Sequence, residues 1–463
     1  MVFTSFDYLF FFVIVFTAYW LIQKKSLQNL LLLAASYIFY GYVHPWFCIL
    51  ITTSTVVNYL CALLMNRFDS KRKILLVISL ACSLGILGFF KYFNFFADNI
   101  LTLINSAGFK IHPMTLRIFL PVGISFYTFQ TLSYTIDVYR GKIPPRKNLV
   151  DFALFVAFFP QLVAGPIERA SRLLPQVEKD RRWDWEMFLS AWPLLIKGYL
   201  KKIVIADNVA IYVDKIFMLD QPTFLLLAVG TLAFALQIYT DFSAYTDIAR
   251  ASAKLLGFNL MENFKSPYLA ISPSDFWRRW HISLSSWIND YLYIPLGGSR
   301  VNTRWKFALV LLTSLGLSGL WHGAAWNFIV WGIYHAVLIF AYHSLGIGGR
   351  WTPGSRMKTF LAWLVMLCFT MVGWAIFRST NLGWLIAVFT QGFSIGAGGD
   401  SLVVSLVVLV SVAFYSLPLF ALMFLDRVIP NRKFVHAIVY SFAVIIIMTL
   451  FRESQQDFIY FQF

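Results

Sequence analysis

The longest stretch of the chain without Asp, Glu, Lys or Arg covers residues 307–349 and reads FALVLLTSLGLSGLWHGAAWNFIVWGIYHAVLIFAYHSLGIGG. A helix needs roughly 20 consecutive apolar residues to cross the hydrocarbon core of a bilayer. This stretch is therefore long enough for two membrane-spanning helices joined by a short turn.

Other uncharged stretches recur along the chain, separated by clusters of charged residues. They cover residues 28–66, 74–90, 118–136, 222–240, 359–377, 401–425 and 434–451. Residues 28–66 again have room for two helices, with a turn near His44 and Pro45. The pattern predicts an all-α polytopic membrane protein with about ten to twelve transmembrane helices. A transmembrane barrel would show short alternating segments instead.

The composition also argues against a protein surrounded by water. Only 13% of the residues are charged and 59% are hydrophobic, whereas a soluble domain averages about 25% charged residues. The 47 Phe and 16 Trp residues suit walls that face lipid and aromatic belts at the membrane surface. We therefore expect membrane lipids to surround the chain.

The net charge of +16 could indicate a nucleic-acid partner. The Lys and Arg residues, however, lie in short clusters between apolar stretches, as in residues 67–73, 140–147 and 169–182. Basic loops of this kind stay on the cytoplasmic side of a membrane. Because no nucleic-acid-binding motif accompanies them, the charge indicates topology and no nucleic-acid partner.

Residues 152–167 are apolar but lie between two basic clusters that both belong in the cytoplasm. The segment is short and contains Pro160, Gly165 and Pro166. These features predict a re-entrant hairpin, which is tolerated in a membrane only where it lines a cavity. We find no repeat or long linker that would divide the chain, and we expect a single domain over residues 1–463.

A second special segment follows Ser272, which is a good helix-capping residue before Pro273. Large apolar residues then recur at spacings of three and four: Phe276, Trp280, Leu284, Trp287 and Tyr291. This periodicity predicts one amphipathic helix that ends before Pro295. Such a helix would lie at the membrane interface or fold into the protein.

His322 is a candidate for chemistry because it lies in the apolar sequence GLWHGA, residues 319–324. Ionisable residues inside membrane spans are rare and by default suggest a functional site. The flanking Gly319 and Gly323 remove side-chain bulk and would let a ligand approach the backbone. The alternative is a neutral histidine that is hydrogen-bonded between helices.

His281 ends the sequence FWRRWH, residues 276–281. The alternative to a functional role is an interfacial helix whose Arg, Trp and His side chains meet lipid headgroups. His335 would share a helical face with His322 only if one helix were continuous. The other histidines have no second polar residue nearby and are interpreted as loop or core residues: His44, His112, His343 and His436.

Several other kinds of site are disfavoured. The sequence has no clustered ligands of the HExxH type, so we expect no metal. The four cysteines form no CxxC pair and lie in apolar stretches, so we interpret them as buried core thiols. Residues 392–396 match GxSxG, but that hydrolase pattern requires a preceding strand. The carboxylates Asp241, Asp247 and Glu262 could pair with Arg or orient a histidine.

Taken together, these segments resemble the membrane-bound O-acyltransferase family over nearly the whole chain, and most closely its bacterial branch that acetylates alginate and other exported polysaccharides. The most specific blocks are WRRWHISL, residues 277–284, and GLWHGA, residues 319–324. Further blocks are FYTFQTLSYTIDVYRG (126–141), FFPQLVAGPIER (158–169), QIYTDFSAYTDIA (237–249), residues 263–300 (which contain SDFWRRWHISLSSWINDYLYIPLGGSR), GLWHGAAWNFIVWGIYH (319–335) and FIYFQF (458–463).

The resemblance implies a ring of transmembrane helices around a central tunnel, in which a cytoplasmic donor meets an exported acceptor. It places the proposed catalytic histidine at His322 and a second functional histidine at His281. The donor would be acetyl-CoA, with no bound cofactor. Further candidate substrate-binding residues are Trp321, Trp280, Arg278, Arg279, Asp241 and Arg300.

The expected reaction is acetyl transfer to a hydroxyl, with His322 as general base, since a neutral imidazole can take the hydroxyl proton near pH 7. The acceptor would be an exported polysaccharide or cell-wall glycan, or the serine of a periplasmic or extracellular acetyltransferase partner. The resemblance implies the bacterial inner membrane as location. The competing hypothesis is a transporter or flippase in which His281 and His322 line a path without bond chemistry.

Overall fold

The apolar stretches become helices because a backbone in an apolar environment must satisfy its own hydrogen bonds. The structure, a computed structural model, describes residues 1–109, 118–163, 165–220, 222–391, 399–428, 433–451 and 458–459. These residues form helices and connecting loops, with no β-strand among them. The predicted all-α fold is therefore confirmed.

The α-helices follow one another in chain order with mostly short connections. The first nine are α1 (Phe6–Leu21), α2 (Lys25–Gly41), α3 (Phe47–Arg67), α4 (Arg72–Ser106), α5 (Ile124–Tyr139), α6 (Leu149–Ala157), α7 (Phe159–Leu162), α8 (Ala170–Glu178) and α9 (Trp185–Tyr199). The others are α10 (Asp207–Phe217), α11 (Phe224–Leu255), α12 (Pro273–Arg279), α13 (Ile282–Ile288), α14 (Arg304–His322), α15 (Trp326–Ser344), α16 (Arg356–Arg378), α17 (Leu382–Gln391), α18 (Gly399–Val428) and α19 (Lys433–Leu450).

Contacts between Cα atoms group the chain into two compact units. The first comprises residues 1–191 and 249–261, and the second comprises residues 192–248 and 262–463. The segments singled out around His281 and His322 both belong to the second unit.

Five helical segments in the described part of the chain are long and apolar enough to cross a membrane. They are Phe47–Arg67, Asp69–Ser106, Phe224–Leu255, Arg356–Arg378 and Asp400–Val428. Two shorter apolar helices are Phe6–Leu21 and Phe434–Leu450. These helices agree with a membrane protein, whereas the total of ten to twelve spans stays a prediction.

Two local predictions in the first unit can be compared with the structure. α2 and α3 are separated by a turn that contains His44 and Pro45, as predicted. The proposed re-entrant segment forms the short helices α6 and α7, whose junction is at Phe158 and whose side chains are buried over residues 151–162. Neither helix is long enough to cross a membrane, and the re-entrant topology itself stays a prediction.

The cysteines differ from one another in exposure, although all four are free thiols. Cys61 is buried, as predicted, and Cys48 and Cys82 are partly buried. Cys368 is exposed on α16, so its assignment to the core was wrong. An apolar helix that faces lipid places apolar and weakly polar side chains outward, and hydrophobicity therefore does not indicate burial in this chain.

The segment after Ser272 is interrupted, and the prediction of one continuous amphipathic helix was wrong. The Ser272 hydroxyl does accept a hydrogen bond from the Asp275 N–H (3.2 Å) and begins α12, as predicted. The helix then ends at Arg279. Trp280 is extended and His281 has a φ of 43°. α13 follows, and residues 289–293 continue it as a π-helix.

Asn263 stabilises this interruption. Its carbonyl oxygen accepts a hydrogen bond from the Ile282 N–H (3.0 Å), and its side-chain oxygen accepts one from the Ser283 N–H (3.1 Å). These bonds satisfy donors that the broken helix would otherwise leave unpaired in a buried place. The irregular backbone at His281 is thus fixed by a residue outside the helix.

α14 and α15 form a close helical hairpin with a turn at residues 323–325. A Cβ atom at Gly319 would clash with the carbonyl oxygen of Phe328, and one at Gly332 with that of Leu315. A Cβ atom at Gly323 would overlap the ring of Phe328. The prediction that Gly319 and Gly323 leave room for a ligand was therefore wrong, since Phe328 fills that space.

Candidate active site

His322 and His281 are brought to the same aromatic cluster of the second unit. His322 is the last residue of α14 and is 3% exposed, while His281 lies at the break between α12 and α13 and is fully buried. Both imidazoles contact the ring of Trp321, with centroid distances of 4.9 Å for His322 and 6.0 Å for His281. The two histidines, which are far apart in the sequence, therefore contact the same tryptophan ring.

The ring of His281 packs edge-to-face on Phe242 of α11, with 4.7 Å between the centroids. Burial lowers the pKa of His281 from 6.5 to about 3, since the charged form has lost its hydration. The imidazole is therefore neutral at physiological pH. A neutral buried ring held on two sides by aromatic residues is suited to a fixed position.

Aromatic side chains from α15 and α16 complete the surroundings of His322. Trp331 contacts the imidazole edge-to-face at 5.1 Å and Phe377 contacts it at 5.6 Å. Trp331 also contacts His335 at 4.9 Å. These groups exclude water from the imidazole, which limits hydrolysis of any reactive ester or thioester bound there.

Trp280 belongs to the same cluster. Its ring stacks on Phe276 at 5.7 Å and contacts Trp374 at 4.8 Å. Phe276 in turn stacks parallel to His335 at 6.0 Å. The candidate residues Trp280 and Trp321 therefore lie in the aromatic cluster around the two histidines, and their role in substrate binding stays a prediction.

The sequence reasoning did not identify Trp331, His335, Trp374 and Phe377 as part of this site. Trp331 and His335 are four residues apart on α15 and therefore share a face, which is a signal that the sequence contains. No local pattern connects Trp374 or Phe377 to His322, because α16 reaches the cluster only through the tertiary fold.

A cavity of about 490 Å³ lies beside the aromatic cluster. It is lined by Ser274, Trp277, Arg278, Ile282, Ser285, Ser286, Ile288, Asn289, Tyr293, Leu311, Ser314, Leu315, Ser318 and Ile339. The hydroxyls of Ser314 and Ser318 are buried, and within the described part of the chain they have no hydrogen-bond partner. They are available to a ligand.

The cavity approaches the candidate base without including it. Ser318 lies one helical turn before His322 on α14. Trp277 lines the cavity and also contacts Trp331 at 5.5 Å and His335 at 5.1 Å. The lining contains neither His281 nor His322, so the continuous tunnel expected from the resemblance stays a prediction.

The charged candidates occupy different positions. Arg278 lines the cavity and donates a hydrogen bond to the carbonyl oxygen of Gly349 (2.7 Å). Arg279 pairs with Asp275 at 3.0 Å. Arg300 is the exposed last residue of a short 3₁₀ turn and does not line the cavity.

Each of the three carboxylates that could pair with Arg or orient a histidine has a lysine partner. Asp241 is buried, pairs with Lys202 at 3.0 Å, and accepts a hydrogen bond from the Ile459 N–H. Asp247 pairs with Lys201 at 2.6 Å. The third pair, Glu262 with Lys265, is 4.0 Å long.

His436 pairs with Asp426 at 3.4 Å, so the expectation that it has no polar neighbour was wrong. His343 packs on Phe307 at 4.5 Å. His112 and the GxSxG residues 392–396 lie outside the described residues. Within the described ranges, no group of three or more His, Cys, Asp or Glu residues could hold a metal ion.

Comparison with known proteins decides the family of the chain. The model of the membrane-bound O-acyltransferase family matches residues 8–345 of this chain. The chain belongs to this family. The match includes His281, His322, Trp331 and the whole α14–α15 hairpin, whereas Trp374 and Phe377 follow it in the sequence.

Relatives of this O-acyltransferase are found in several bacteria. The chain is 40% identical to the probable alginate O-acetylase AlgI of Pseudomonas aeruginosa over 86% of this chain and 75% of that protein. It is 41% identical to the AlgI of Azotobacter vinelandii over 86% and 79% of the two chains. It is 35% identical to the peptidoglycan O-acetyltransferase of Helicobacter pylori over 84% and 78%.

This O-acyltransferase is accordingly an enzyme, and the competing hypothesis of a transporter without bond chemistry is not supported. Its apolar helices agree with the membrane location of the family. Helix α14, which ends at His322, lies within the matched region, next to the cavity that Ser314 and Ser318 help to line.

Proposed function

We propose that this O-acyltransferase moves an acetyl group from acetyl-CoA to a hydroxyl group, with His322 as general base. The observation that carries the proposal is the position of His322 at the end of α14, walled by Trp321, Trp331 and Phe377. The relatives named as O-acetylases support acetyl as the transferred group.

The chemistry requires one base and an environment poor in water. A thioester is already activated, but a sugar or serine hydroxyl is a weak nucleophile near pH 7. An imidazole that removes the hydroxyl proton during attack accelerates such a step by roughly 10²–10⁴-fold. The aromatic walls around His322 favour transfer to the alcohol over hydrolysis.

The cavity beside the cluster is the proposed place for the donor. Its volume of about 490 Å³ lies within the usual range of ligand pockets. The free hydroxyls of Ser314 and Ser318 can donate to the amide carbonyl groups of the CoA arm. The proposed contacts for the phosphates of CoA are Arg278, which lines the same cavity, Arg279, which follows it in the sequence, and Arg300.

Trp277 lines this cavity and also contacts the rings of Trp331 and His335. The Trp277 side chain is proposed to move when a thioester passes from the cavity to His322. His281 is proposed to position His322 through the shared ring of Trp321.

The acceptor is proposed to be an exported polysaccharide, a cell-wall glycan, or the serine of a periplasmic or extracellular acetyltransferase partner. This matches the polymers in the names of the relatives, alginate and peptidoglycan. It also implies that the enzyme works in the bacterial inner membrane, between a cytoplasmic donor and an external acceptor.

The test is acetyl-CoA turnover by the purified enzyme in nanodiscs, with and without alginate oligosaccharides or peptidoglycan fragments. We expect His322→Ala to lower the acceptor-dependent rate by at least about 10²-fold, the contribution of a general base. The matched control is His343→Ala, which removes an exposed imidazole from the same hairpin and should keep the wild-type rate. Wild-type turnover by His322→Ala would reject the assignment.

A further inference from the structure

Trp331 carries a buried hydrogen-bond donor that the fold does not use. Its side chain is 1% exposed on α15, and its indole nitrogen has no hydrogen-bond partner in the described part of the chain. Buried polar groups in native proteins are nearly always paired, and an unpaired one requires an explanation such as a bound group. The donor is therefore a candidate for contact with substrate.

The position of Trp331 indicates which group it would meet. Its ring contacts His322 at 5.1 Å with an interplanar angle of 86°, and it contacts Phe377 at 5.2 Å. A base that acts on a hydroxyl must lie within hydrogen-bond reach of it. The attacked carbonyl group is then beside His322 and, because the two rings are in contact, close to the Trp331 ring.

On the basis of the proposed function, we propose that Trp331 is a further catalytic residue whose indole N–H donates a hydrogen bond to the acyl oxygen as that oxygen becomes negatively charged. The donor is fixed in a packed, water-poor cluster, so it needs no reorganisation when the charge develops. Preorganised donors of this kind stabilise the transition states of acyl transfer.

The reaction is attack of the acceptor hydroxyl on the thioester, followed by loss of the thiol. The His322 imidazole takes the proton of the acceptor hydroxyl while its oxygen forms a bond to the thioester carbon. The π electrons of the carbonyl group move to its oxygen, which accepts the hydrogen bond from Trp331. The carbonyl group then re-forms, the C–S bond breaks, and the leaving thiolate takes the proton back from His322.

The decisive experiment replaces the N–H group and keeps the ring. We expect Trp331→Phe to lower kcat for acceptor-dependent acetyl-CoA turnover by roughly 10²–10³-fold, the usual effect of removing one oxyanion donor. The KM for acetyl-CoA should change by less than about threefold, because the contact strengthens only in the transition state.

A second variant covers the case in which Trp331→Phe fails to fold. Site-specific incorporation of β-(3-benzothienyl)alanine at position 331 keeps the indole shape and puts sulfur in place of the N–H group. The same loss in kcat is expected. A kcat within about threefold of wild type for this variant would overturn the proposal.

The matched control is Trp363→Phe, which makes the same substitution on α16 at a residue outside the site described above. The ring of Trp363 packs on Phe360 at 5.6 Å, and its indole N–H donates a hydrogen bond to the carbonyl oxygen of Tyr268 (2.9 Å). It should keep most of the activity, and an equal loss in both Phe variants would assign the effect to packing and overturn the proposal. Loss of activity in His322→Ala alone would leave the proposed function standing and reject the role of Trp331.

Discussion

At the scale of single residues, His281 has an unusual backbone conformation that its neighbours hold in place. It has a φ of 43°, a conformation that costs energy for a residue with a side chain. The hydrogen bonds that Asn263 accepts from the N–H groups of Ile282 and Ser283 hold it in place. A strained residue held by its neighbours is typical of positions where side-chain direction matters.

We predict that Asn263→Ala destabilises the fold by about 1–2 kcal/mol, since the Ser283 N–H loses its partner. It should also lower turnover several-fold, because His281 then shifts against Trp321. The measurements are the thermal unfolding temperature in detergent and the rate with acceptor. Ser272→Ala removes a similar cap at the other end of α12 and should affect stability while leaving turnover near wild type. Equal turnover in both variants would contradict the role given to Asn263.

At the scale of elements, the α14–α15 hairpin determines where His322 lies. Gly319 and Gly332 let the two backbones touch without intervening side chains. A methyl group at either position would push the helices apart, because the atoms it meets belong to the backbone and cannot rotate away.

We predict that Gly319→Ala destabilises the protein by about 1–3 kcal/mol, the usual cost of overpacking, and reduces turnover because the end of α14 moves. Gly316→Ala is the control on the same helix, since a Cβ atom there meets nothing within 4 Å. That variant should be neutral or slightly stabilising, as expected for alanine in a helix. Unfolding temperature and turnover check both, and an unaffected Gly319→Ala would disprove the close contact.

Sequence reasoning succeeded at this scale where the cause is local. The turn at His44 and Pro45 and the cap at Ser272 depend on residues within a few positions. The interruption at His281 could not be predicted from periodicity, because it depends on Asn263, which precedes α12. Likewise, α16 supplies Trp374 and Phe377 through packing between distant segments, which one sequence does not reveal.

At the scale of the whole molecule, charge and membrane insertion determine stability. The chain carries a net charge of +16, yet several charged groups are buried. Glu168 is fully buried and accepts a hydrogen bond from the Met261 N–H, with Arg172 at 3.9 Å. Burial nevertheless raises the pKa of Glu168 from 4.5 to about 7.

This shift predicts how global stability depends on pH. The folded state holds the Glu168 proton more tightly than the unfolded state, so the contribution to stability is full below pH 4.5 and is lost as pH rises to about 7. We expect Glu168→Gln to reduce the fall of the unfolding temperature between pH 5 and pH 7. Glu262→Gln, at a half-exposed site, should retain the wild-type profile. An unchanged profile for Glu168→Gln would show that the carboxyl does not titrate in this range.

The close contact between the backbones of α14 and α15 also limits which substitutions the protein can tolerate during evolution. Every codon change that alters Gly319 or Gly332 adds atoms where none fit. Outward-facing positions such as Leu309 and Val337 are exposed and can exchange among apolar types at little cost. We therefore expect substitutions among relatives to be frequent at the lipid-facing positions of this hairpin and rare at Gly319 and Gly332.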